Sequence, residues 1–152
     1  MKRLLLILML LAAPAAAQSV GECGAQVSAR NLAEPWEANT ATYAEGEIRV
    51  AVIDMLEPAA AAVHLMVISP PRDEIGDRQC RLVSLQGGEG SAIGFYDLGF
   101  AERRAEYDPK RGLVLTMPAS FYDPQTGSAE PSELTVTINQ SSGEVLAEVS
   151  GS

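Results

Sequence analysis

Few side chains in this 152-residue chain could do chemistry. There is one histidine, His64, set inside the apolar run VHLMVI, and there are two cysteines, Cys23 and Cys80. Any Ser-His-Asp or Cys-His scheme would have to use His64, because such schemes need a base that titrates near neutral pH. No G-x-S-x-G segment accompanies it, and a His between Val63 and Leu65 reads as a structural residue of a sheet face. The cysteines lack the C-x-x-C spacing of redox catalysts and read as one disulfide, Cys23–Cys80. That leaves too few nitrogen and sulfur ligands for zinc. Calcium needs only oxygens, and Asp73, Glu74 and Asp77 in PRDEIGDRQ supply them. Their spacing matches no EF-hand, and Arg72 and Arg78 flank them, so they read as a solvated charged loop. No metal or other cofactor is expected, and no catalytic residue is assigned.

Carboxylate pairs of the glycosidase kind can be drawn from any acidic sequence, so the acids alone do not single out a hydrolase. GGEG at 87–90 is followed by a strand pattern rather than a helix, which a phosphate loop would need. Three aromatic residues are candidates for ligand or partner contact: Trp36, Tyr96 and Tyr122. Trp36 in NLAEPWEANT is the only tryptophan and reads as a core plug near the disulfide, with a surface recognition aromatic as the alternative. Tyr122 opens YDPQTG, a copy of the frame YDPKRG that begins at Tyr107. In that frame Asp caps a turn through its side chain, Pro presets φ, and Gly takes the left-handed exit. Asn139 and Gly143 repeat the spacing. The first and third copies are expected to close hairpins, the second only to end its strand before a polar loop over 125–133.

The elements that must position these residues are short. Residues 1–17 read MKRLLLILMLLAAPAAA: a positive start, a short apolar run and an A-x-A end, the pattern of a cleaved export signal. The run is too short to span a bilayer, which takes about 20 residues. Glu22 before Cys23 argues against lipidation. Without Lys2 and Arg3, 9 of the 11 basic residues remain against 20 acidic ones, a net charge of −11. Such a surface repels nucleic acid and anionic headgroups, so neither is an expected partner, and no membrane contact is expected after cleavage.

Residues 18–152 suit one domain. Apolar alternation marks strands in 47–55, 79–85, 113–121, 134–138 and 145–149, and 63–68 is apolar on both faces like a central strand. Residues 92–100 and 101–107 read as further strands, and 40–44 as a partner of 47–55 through a two-residue Glu45-Gly46 turn. Residues 18–34 are expected to be loosely ordered apart from Cys23. The expected fold is an all-β, antiparallel β-sandwich or open barrel of about seven to eight strands with one disulfide.

The runs RNLAEPWEANTATYAEGEIRVAVIDMLEPA, HLMVISPP, RQCRLVS, GFYDL, YDPKRGLVLTMP and TINQSSGEV resemble a family of small exported alphaproteobacterial proteins to which no activity is assigned. The resemblance covers nearly all of 18–152. It implies bacterial origin and one intact domain, and it brings no catalytic residue, cofactor or ligand. The reading that follows is an exported, periplasmic or secreted, non-enzymatic module that binds an envelope protein or a small ligand. Its alternatives are a carboxylate-dependent hydrolase, with His64 as a weaker base, and an inhibitor presenting the 120–133 region.

Overall fold

The computed structural model describes residues 18–88 and 91–151. The leader expected over 1–17 lies outside the described residues, as do Glu89 and Gly90 of the GGEG loop. Alternation translates directly into strands where one face is buried. In β10 (Ser128–Ile138), Leu134, Val136 and Ile138 are fully buried while Thr135 and Thr137 between them stay partly exposed. Burying each such side chain stabilises the fold by about 2 kcal/mol.

The other strands are β1 (Gln18–Glu22), β2 (Thr40–Tyr43), β3 (Ile48–Asp54), β4 (Val63–Arg72), β5 (Arg78–Gln86), β6 (Ala92–Ile93), β7 (Asp97–Leu98), β8 (Arg104–Asp108), β9 (Gly112–Asp123) and β11 (Val145–Gly151). They form two antiparallel sheets. One runs β1-β5-β4-β3-β2 with β6 on β5; the other runs β11-β10-β9-β7 with β8 on β9. The main core lies between them, from Ile48, Val50, Leu65, Val67 and Val83 on one side to Leu115, Met117, Leu134 and Val136 on the other. The protein is therefore the expected all-β sandwich with a Cys23–Cys80 disulfide.

The strands number eleven among the described residues: β1 adds one at the start, and the 92–107 stretch, expected as two strands, is broken into three, β6, β7 and β8. Here the chain leaves the first sheet, where Phe95 bridges Val63, and enters the second, where Asp97 pairs with Ser120. β7 and β8 then lie end to end along β9, separated by a 3-10 turn at Phe100–Glu102. Gly99 donates to the Pro118 carbonyl at 2.8 Å across that gap.

Four sequence expectations need correction. All three Asp/Asn-to-Gly turns close hairpins, including the second, which joins Asp123 to Ser128. Residues 128–133 are strand despite their polarity, because this part of β10 is held by backbone pairing to β9 and lies mostly outside the core. The β2–β3 turn spans four residues, 44–47, with Ala44, Glu45 and Gly46 all at positive φ. The 18–34 segment is ordered: β1 pairs with β5, and the residues after it cover the outer face of the first sheet. There Ala51, Ile53, Met66 and Leu82 form a second buried cluster beneath Cys23, Val27 and Leu32. This cover explains why 63–68 is apolar on both faces: Leu65 and Val67 point to the main core, and Met66 and Ile68 to the outer cluster.

Candidate functional site

One end of the sandwich gathers the 55–62 connection, the end of β5, the 94–96 corner and the β9–β10 turn. The registers Asp54↔Val63, Leu85↔Ile93 and Asp123↔Ser128 place them there. The Tyr96 amide, donating to the Ser120 carbonyl at 2.9 Å, ties the two sheets together at that end. Gly94 makes the corner possible. Its amide donates to the Ala61 carbonyl at 2.9 Å, and a Cβ on it would lie 2.7 Å from the Val63 nitrogen. Only glycine lets the two backbones approach this closely.

Between these segments lies a cavity of about 350 Å³. Ala60 and Ala61 form one wall, Leu85, Gln86, Ile93 and Gly94 another, and Phe121, Tyr122 and Pro124 the third. The lining is mainly apolar. Gln86 and Tyr122 are the lining residues with polar side-chain groups. Ile93 and Tyr122 are each 41% exposed, so two large side chains stand at the mouth in contact with water.

Of the three aromatic candidates, the structure brings Tyr122 into this lining and places Tyr96, also exposed, at the adjoining corner. Trp36 is elsewhere, on the loop before β2, the far edge strand of the first sheet. It is 52% exposed, so it is not a core plug. Val27 and Leu32 fill the layer near the disulfide instead. Trp36 sits on a short turn whose carbonyl accepts from the Asn39 amide at 3.1 Å and the Thr40 hydroxyl at 2.8 Å, which holds the backbone and leaves the ring outside. Leu85, Ile93 and Phe121 carried no sequence signal as site residues, since each reads as an ordinary strand position. The small-residue run Ala59–Ala62 was the one visible hint of a wall that leaves space.

His64 lies on the outer face of the first sheet, beside Ser84 of the neighbouring strand, with Nδ1 2.8 Å from Ser84 Oγ. His64 is 7% exposed and Ser84 1%, so neither offers a surface to a substrate. Burial pushes the His64 pKa below its ordinary value, because the imidazolium would lose its hydration. The unfolded chain then takes up the proton at a higher pH than the folded one, so stability is lost as pH falls from about 6.5 toward the lowered folded value. His64 is the only histidine, and no other side-chain type ordinarily titrates in that window. Urea midpoints should therefore fall between about pH 7.5 and 5.5 in the wild type, and His64→Gln should flatten that slope. An equal slope in both proteins would remove His64 as its cause.

The Asp73 loop satisfies itself: Asp73 Oδ1 accepts from the Ile75 and Asp77 amides at 3.0 and 2.9 Å. Arg72 is spent on Glu47 and the Gly76 carbonyl. Among the described residues no group of three His, Cys, Asp or Glu side chains converges to hold a metal ion. Among them, too, no helix is long and apolar enough to cross a membrane. No protein-family model, curated protein or solved structure matches this chain.

Proposed function

We propose that this chain is an exported, non-enzymatic binding domain of the bacterial envelope, periplasmic or secreted, that takes a small apolar ligand at the end of its sandwich. The observation that carries this reading is the cavity of about 350 Å³ behind Ile93 and Tyr122. Its size lies within the range of small-molecule sites, and such sites combine an apolar lining with a few polar groups that orient the ligand. The disulfide fits an oxidising compartment, and the sequence of residues 1–17 fits export. The lining contains no carboxylate, so a carboxylate-dependent hydrolase would have no acid pair in this cavity. An inhibitor loop in 120–133 would have to be presented by the tight β9–β10 hairpin.

N-phenylnaphthylamine, a neutral apolar dye that brightens in apolar surroundings, tests the reading. The protein should bind it saturably, and Ile93→Asp should weaken binding about tenfold or more by setting a charge against the apolar wall. Leu146→Asp, on the other sheet at a similarly exposed position, should leave binding unchanged. Absence of saturable binding, or an equal loss in both variants, would sink the proposal.

A further inference from the structure

The basic residues of this protein are unevenly distributed along the sandwich, whereas carboxylates occur at both ends. The segments that build the cavity end, 53–63, 84–88, 91–98 and 119–132, carry five carboxylates and no Lys or Arg. The carboxylates are Asp54, Glu57, Asp97, Asp123 and Glu130, of which Asp97 lines a separate depression with Gly99, Glu102 and Pro118. Asp123 lies between Tyr122 and Pro124, both in the cavity wall. The nine Lys and Arg of 18–152 lie outside these segments, several around the turns of the opposite end, such as Arg72, Arg78, Lys110 and Arg111, while Arg30 adjoins Asn31, whose side chain reaches Met55 Sδ at 3.2 Å.

The ion pairs follow the same division. Among the described residues they join Arg72 to Glu47, Arg81 to Glu22, Arg104 to Glu133 and Arg111 to Asp108. None of the five carboxylates at the cavity end takes part. Asp54 and Asp123 accept from the Leu56 and Gln125 amides, and Glu130 accepts from the Thr126 and Ser128 hydroxyls, but these donors carry no charge. The apolar cavity therefore opens at an end whose carboxylates form no ion pair among the described residues.

We infer that the ligand class of this cavity is a small cationic amphiphile, an apolar chain or ring that carries an amine. The apolar body is buried against Leu85, Ile93 and Phe121, and the ammonium group stays at the mouth among the carboxylates. There it remains hydrated and gains their summed field without the cost of burying a charge. The same field disfavours anionic amphiphiles such as fatty acids, so charge rather than shape separates ligands with the same apolar body. This inference rests on the apolar-ligand reading above and adds the sign of the head group.

Octylamine, octanol and octanoate share one apolar chain and differ in charge at neutral pH. Calorimetric titration of protein purified from expression of the full chain should rank them in that order, with octylamine about tenfold tighter than octanoate. Backbone amide shifts should localise to Leu85, Ile93, Gly94 and Tyr122 for each ligand that binds. Raising salt to about 0.5 M should compress the gap. So should the combined variant Glu57→Gln and Asp123→Asn, the second of which keeps a turn-capping oxygen at that position. Equal binding of all three ligands, or tighter octanoate, overturns the cationic class while leaving the apolar site intact. Octylamine shifts confined to residues outside the cavity also overturn it. Binding by none of the three overturns the apolar reading as well.

Discussion

Removing the Cys23–Cys80 disulfide, by Cys23→Ser with Cys80→Ser, is expected to lower the unfolding free energy by about 4 kcal/mol. The sequence separation of 57 sets that value, through the loop-closure entropy the unfolded chain regains. The location of the bridge predicts a second, more specific consequence. Cys23 anchors the segment that covers Ala51, Ile53, Met66 and Leu82 on the outer face of the first sheet. The main core between the sheets contains neither cysteine. The variant should therefore open in two steps, the outer cover first and the sandwich afterwards. Hydrogen exchange should rise over residues 24–33 and the outer cluster before it rises in β9 and β10, and the outer face should become sticky to apolar dyes. A urea midpoint close to that of the wild type would contradict the entropic account. Uniform exchange across both sheets would contradict the two-step one.

Glycine to alanine at the three hairpin turns should destabilise in the order Gly112, then Gly143, then Gly127. All three have positive φ, at 96°, 79° and 72°, so each variant carries the left-handed penalty of about 1 kcal/mol. They differ in what a Cβ would meet. At Gly127 nothing lies within 4 Å. At Gly143 the new carbon meets the Pro71 ring, which can shift a little. At Gly112 it runs into the Ile138 carbonyl oxygen and lies 3.0 Å from the Asn139 Cα, both rigid backbone of the β10–β11 hairpin. Overpacking against backbone adds about 2 kcal/mol, so Gly112→Ala should cost about 3 kcal/mol in all. The expected fall in melting temperature is about 10 °C. Calorimetric melting of the three variants checks the order. If Gly127→Ala proved as costly as Gly112→Ala, the φ penalty alone would explain both, and the contact between the two hairpins would carry no weight.

The turn frame itself works by side-chain acceptance. Asp108 Oδ1 accepts from the Lys110 and Arg111 amides at 2.8 and 2.9 Å, and Asn139 Oδ1 accepts from the Ser141 and Ser142 amides at 3.0 and 3.1 Å. The Arg111 amide, then the Lys110 amide, holds the Asp108 carboxyl below its ordinary pKa. YDPKRG and YDPQTG are thus turn signals. Tyr107 and Tyr122 begin the two copies, yet only Tyr122 reaches the cavity end, because its hairpin leaves β9 there while Tyr107 belongs to the opposite end.

What could be read from residue order was what local physics decides. Period-two alternation in 134–138 reports that one face is buried, and two cysteines in a chain with an export pattern report a bridge. Asp or Asn four residues before Gly reports a reversal. Each of these signals comes from residues that act within one turn or strand, or from a parity. The remainder depended on segments distant in sequence. Trp36 is outside because Val27 and Leu32 occupy the layer it was expected to fill. Residues 128–133 are strand because β9 supplies backbone partners, whatever their polarity. The 92–100 stretch breaks because the two sheets must be joined there. The cavity exists only because Ala60, Leu85, Ile93 and Tyr122, unremarkable one by one, converge at one end of the sandwich. Alternation reports that a side chain is covered. What covers it, and where the cover leaves a gap, is a property of the packed sheets.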